Sequence, residues 1–73
     1  MAETLTAEKF QRRAKAIQQK RDNLQLMRIA LMQRQLPSER AMVLMMLVNN
    51  EPSFDGQEAL HTLILETIQE YKR

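Results

Sequence analysis

The sequence predicts an all-α fold of three helices: a long basic first, a short apolar second and an acidic third. They form a helical hairpin-like arrangement expected to pair into a dimeric bundle. Three observations carry this expectation. From Ala7 to Gln35 there is no Gly or Pro, and Gln, Arg, Lys, Leu, Ala and Met, all good helix formers, dominate. Pro37 and the stretch Asn49-Asn50-Glu51-Pro52-Ser53 then divide the remainder into two segments. Few residues of the first of these segments are β-branched, and the apolar positions of the second recur at helical spacing.

The first helix is read over about 29 residues, 7–35, which at 1.5 Å per residue makes it about 44 Å long. Thr6 is its expected N-cap, with Glu8 in the first turn where the helix dipole favours an acid. Residues 1–6 are expected to be a flexible N-terminus, and 7–73 one helical domain. The two halves of this helix differ. In the first, Phe10, Ala14, Ile17 and Leu24 fall on one narrow seam at coiled-coil-like spacing. In the second, Leu24, Leu26, Met27, Ile29, Ala30, Leu31 and Met32 point almost all round the helix, which predicts burial on most sides.

Leu36-Pro37-Ser38-Glu39 reads as a tight corner, with Pro37 in the first turn of the next helix. The run Ala41-Met-Val-Leu-Met-Met-Leu-Val48 is apolar without interruption and is expected to meet protein on every face. Asp55-Gly-Gln-Glu58 matches the acidic version of a capping box, opening a third helix over 56–72. On it Leu60, Leu63, Ile64, Ile68 and Tyr71 share a face.

Length and composition bound the function. A chain of 73 residues buries only about 60% of the surface its unfolded form exposes, so small domains usually need a staple. There is no cysteine and one histidine, so neither a disulfide nor an ordinary zinc site is available within one chain. Association is the remaining staple, and the six methionines suit adaptable interfaces. A homodimer is therefore expected. Its seam, shared with the core, is Phe10, Ala14, Ile17, Leu24, Met42, Met45 and Met46. The longest apolar run, 41–48, is far short of the ~20 residues of a membrane span, and Met-Ala-Glu-Thr does not resemble a signal peptide. A cytoplasmic protein without membrane contact is expected.

The net charge of +2 is uneven. Residues 1–34 carry eight basic against three acidic groups, whereas residues 51–73 carry two against five. Lys9, Arg12, Arg13, Lys20 and Arg34 fall within about one third of the first helix's circumference. They are the candidate partner-binding face, suited to an acidic patch. The plainer reading is a solvated face whose long stems cover apolar neighbours. No aromatics interleave with these charges, so stacking on single strands is not indicated. A helix-turn-helix reader is disfavoured, because the helix after Pro37 is apolar and the last one acidic.

Glu58 and His61 have the Glu-x-x-His spacing of carboxylate-bridged metal bundles, but Glu58 also serves the expected cap, and a surface histidine is the preferred reading. Ser38 and Ser53 sit where capping explains them. With one glycine there is no phosphate-cradling loop, and no cofactor, metal or catalytic residue is assigned. The expected function is that of a small non-enzymatic regulatory protein. It would bind another protein through a helical surface and modulate it as an inhibitor, anti-activator or adaptor, a type common among phage and plasmid accessory proteins. The alternative is nucleic-acid binding by paired basic first helices.

Overall fold

A computed structural model describes the backbone of residues 2–72 and the side chains of residues 7–72. It contains three helices: α1 over Ala2–Met32, α2 over Ser38–Asn50 and α3 over Phe54–Lys72. The first helix begins at Ala2, five residues before the expected Ala7, so Thr6 lies within it and does not cap it; the side chains of residues 1–6 lie outside those described. No strand occurs among the described residues. α2 runs back along α1, and α3 reverses again, so that the α2–α3 hairpin covers the C-terminal half of α1. The protein is a rod of 51 × 17 × 16 Å.

The first helix stops three residues before the expected Gln35. Arg34 adopts φ 55°, and the amide N–H groups of Arg34 and Gln35 donate to Leu31 O (3.1 Å) and Ala30 O (2.7 Å). This is the Schellman arrangement, in which a left-handed residue lets the chain satisfy the last carbonyls of the helix. Glycine usually fills that position; the sequence offers none, so an arginine carries a steric cost of roughly 1 kcal/mol. Arg34→Gly is expected to raise the unfolding free energy by about 1 kcal/mol, moving the thermal midpoint up by about 5 °C in a scanning calorimetry trace. An unchanged or lower midpoint would sink this account of the corner.

Pro37 is the N-cap residue of α2, not part of its first turn, with extended φ −67° and ψ 144° and no side-chain cap. Leu36 and Ala41 occupy the positions of a hydrophobic staple, and both join the core. The third helix begins two residues earlier than expected, and its cap differs. The Asp55–Glu58 box does not form. Instead the Ser53 hydroxyl oxygen accepts from the Gly56 N–H at 2.9 Å, the third amide of the helix, as an N-cap serine should.

The core is small. Met27 and Ala30 from α1, Leu36 from the corner, Ala41, Leu44 and Val48 from α2, and Ile64 and Ile68 from α3 form one buried cluster. Leu24, Leu26, Leu31, Met45 and Leu60 pack against it, partly buried. Two expectations of all-round burial are corrected here. Within 24–32 only Met27 and Ala30 are buried, while Ile29 and Met32 lie in water. Within 41–48 only Ala41, Leu44 and Val48 are buried, and Met42, Val43, Met46 and Leu47 are exposed. The reason is geometric: two neighbouring helices cover about half of a third one's circumference, and the described residues supply no fourth element.

Candidate functional site

The packing stripe of α1 runs through Ala16, Asn23, Met27 and Ala30, all buried. Its spacing of seven, four and three is that of a helix–helix seam. It lies about a third of a turn from the expected seam at 3.6 residues per turn. Of that seam, Leu24 and Met45 pack against the core, whereas Phe10 (73% exposed), Ala14, Ile17, Met42 and Met46 face solvent. Ahead of Ala16 every described side chain of α1, residues 7–15, is exposed. Ahead of the level at which Arg12 and Arg13 meet the α2–α3 connection, the N-terminal part of α1 projects past the hairpin as an arm of about 10 residues, or about 15 Å.

At the root of the arm sits a buried polar clamp that sequence reasoning missed. Asn23 and Gln57 are both fully buried. Gln57 Nε2 donates to Val48 O at 2.7 Å and to Glu51 O at 2.9 Å, so one amide group satisfies two carbonyls that the end of α2 leaves without helical partners. Asn23 Nδ2 donates to Gln57 Oε1 and to the Gln57 carbonyl, each at 2.9 Å. Its Oδ1 then accepts from Gln19 Nε2 at 3.2 Å and stands 2.9 Å from His61 Nδ1. These partners fix every amide orientation. The backbone carbonyls can only accept, so Gln57 Nε2 and Asn23 Nδ2 must point at them, and His61 must carry a proton on Nδ1. Lys20 Nζ adds a bond to Asn49 O at 3.1 Å. A lone asparagine inside an otherwise apolar α1 stripe was the available signal, since a buried amide demands a polar partner across the interface.

The α2–α3 connection is shaped by one carboxylate. Glu51 Oε1 accepts from the Ser53 hydroxyl at 2.6 Å and the Ser53 N–H at 3.1 Å. These bonds, the hydroxyl's first, hold its carboxyl below the usual carboxylate range. Their contribution is present above the unfolded carboxylate pKa and fades as pH falls through the lowered folded value. A Cβ on residue 56 would overlap this carboxylate, so a larger residue there would displace the Glu51 side chain from its bonds to Ser53.

The five residues of the expected basic face do not form one patch. Arg12 and Arg13 line a cleft of about 340 Å³ with Ala16 and Pro52-Ser53-Phe54-Asp55. Lys9 joins them on the arm beside Phe10. Lys20 is tied to the C-terminus of α2. Arg34 stands at the other end of α1, about 33 Å along the axis from Arg12. Glu58 and His61 are separated in role. Glu58 is exposed, and one ring nitrogen of His61 is occupied by Asn23. Among the described residues no three His, Cys, Asp or Glu side chains converge as metal ligands would, and no helix is long and apolar enough to cross a membrane. No protein-family model, curated protein or solved structure matches the chain.

Proposed function

We propose that this protein is a non-enzymatic regulator that acts in the cytoplasm as a homodimer. It binds an acidic surface on another protein with the arm of α1 and modulates that protein's activity. The observation that carries the reading is the arm itself. It is a helix projecting from its own domain, with Arg12 and Arg13 at its root beside the α2–α3 connection and Lys9 beyond them, on the face that continues the packing stripe. A helix with that face unoccupied can dock into a groove, its cations giving steering and register. The buried clamp at Asn23 and Gln57 anchors the arm to the domain, so the binding helix is already formed before encounter and less ordering is needed on docking.

Duplex nucleic acid is the second reading, through the same cations. Asp55 opens into the cleft between Arg12, Arg13 and the start of α3, where a carboxylate would face any phosphate. That arrangement favours a protein, whose side chains can pair with both signs, over a polyanion.

The test is affinity capture with the tagged full chain from its source cells, read by mass spectrometry, beside the double variant Arg12→Glu/Arg13→Glu. A partner retained by the native chain and reduced at least tenfold by the variant, with unchanged far-ultraviolet dichroism, supports the reading. Equal capture by both chains removes the arm from the function. Salt-dependent retention on duplex DNA, lost in the same variant, would transfer the function to the second reading.

A further inference from the structure

Helix propensity and the tertiary fold disagree at one place, the corner between α1 and α2. Gln33, Arg34 and Gln35 are good helix formers, and proline turns only the residue directly before it, Leu36, away from helical geometry. Yet α1 ends at Met32, and Arg34 takes φ 55°, a left-handed conformation that a side chain enters at a steric cost. Hydrogen bonding does not require the bend. The Arg34 and Gln35 amides donate to Leu31 O and Ala30 O in the corner. In a helix continued through Gln35 the same two amides would donate to the same two carbonyls, exchanged. What holds the corner bent is tertiary: Leu44 and Val48 of α2 and Ile64 and Ile68 of α3 need a covering helix, and α1 supplies it.

We propose that this corner is a hinge through which two copies of the chain exchange their first helices. In the exchanged dimer α1 runs straight through Gln35, and its stripe of Ala16, Asn23, Met27 and Ala30 covers the α2–α3 hairpin of the second copy, whose α1 does the same in return. This rests on the homodimeric reading above and deepens it by naming what the copies exchange. The occupant of the hairpin's inner face is set by complementarity, since it is the helix that already covers that face in the closed chain. The bonds of Asn23 to the Gln57 side chain, the Gln57 carbonyl and His61 re-form between chains. Buried amides left unpaired are costly, so the exchanged helix seats in a single register. Leu36 stays with its own hairpin, because it belongs to the staple with Ala41. The closed and exchanged forms differ only at the hinge, and a short hinge under strain favours exchange.

Exchange relieves the left-handed arginine twice per dimer and immobilises one chain on another once, so it gains on the closed monomer as concentration rises. It also changes how the candidate site is built. The cleft lined by Arg12, Arg13 and Pro52-Ser53-Phe54-Asp55 joins α1 to the α2–α3 connection. In the exchanged dimer each cleft takes its arginines from one copy and its connection from the other. A partner held there touches both chains.

Sedimentation of the full chain at micromolar concentration is expected to give twice 8.6 kDa. Because the chain has no cysteine, Lys20→Cys/Asn49→Cys can be joined by a flexible bis-maleimide. Lys20 of α1 bonds to Asn49 of α2, so the link stays within one chain in the closed form and joins two chains in the exchanged form. A denaturing gel of the linked dimer is expected to show the doubled mass. Arg34→Gly relaxes the bent corner and weakens the straightened helix. Both effects oppose exchange at two hinges, so the dimer is expected to weaken at least about thirtyfold. A monomer at about 100 μM, a dimer whose links stay within single chains, or a dimer indifferent to Arg34→Gly would each overturn the proposal. Partner capture separates the two ideas. Capture that depends on Arg12 and Arg13 in a monomeric native chain leaves the regulatory reading standing without exchange. A dimer linked between chains with no Arg-dependent partner does the reverse.

Discussion

Gln57→Ala lowers the unfolding free energy by about 3 kcal/mol, the largest expected effect of any polar substitution here. The glutamine side chain is fully buried, and its amide closes two orphan carbonyls of α2 while accepting from Asn23. Truncation leaves the Val48 and Glu51 carbonyls without that donor and takes one acceptor from Asn23. A chain this small has only about 4–10 kcal/mol in total, so the variant is expected to melt about 15 °C lower. Urea titration followed by dichroism measures it, and a loss under 1 kcal/mol would show that water replaces the amide without difficulty. Gln57→Glu makes the sign of the interaction visible. A carboxylate facing two carbonyls has a folded pKa above its unfolded value, so its cost is absent at acid pH and grows as pH rises through the unfolded value. That variant should recover stability, relative to the native chain, between neutral pH and about pH 4. A difference that does not vary with pH would count against a buried donor role for Gln57.

Met27→Ala is expected to cost about 3 kcal/mol, whereas Met32→Ala and Met42→Ala each change stability by less than about 0.5 kcal/mol in the monomer. Met27 is fully enclosed where the three helices meet, so its removal opens a cavity that a core of eight clustered residues cannot close. Met32 is 84% exposed. Denaturant midpoints for the three variants at dilute concentration decide the matter. Comparable losses for Met27 and Met42 would overturn the exposed placement of Met42.

The methionines show where sequence reasoning reaches its limit. They are interchangeable in hydropathy, and periodicity alone placed Met27 and Met32 on the same apolar barrel of α1. Only the position of the α2–α3 hairpin separates them. The seam at Phe10, Ala14, Ile17 and Leu24 was found by the same periodicity. It is a genuine apolar stripe, yet the chain packs on its neighbour, through Ala16, Asn23, Met27 and Ala30. Small residues let helices approach closely, and the paired amides demanded burial together. A search for large apolar side chains ranks both kinds of position low. The basic residues were legible as a helical face, but not as a site, because angle around an axis says nothing about distance along it. Arg34 and Arg12 share the angle and stand at opposite ends of the domain.

What the sequence determined by itself is the set of helices and where they break. Propensity, Pro37 and the Asn49–Ser53 punctuation are local and act within a few residues. What only the tertiary structure decided is which face of each helix is covered. That depends on the hairpin's position along α1, and here it leaves an arm ahead of Arg12 and an apolar face on α2. The physical reason is that burial is a property of pairs of helices, whereas helix formation is largely a property of each segment. The arm on which the functional reading rests is a surface that three helices in one chain are too few to cover.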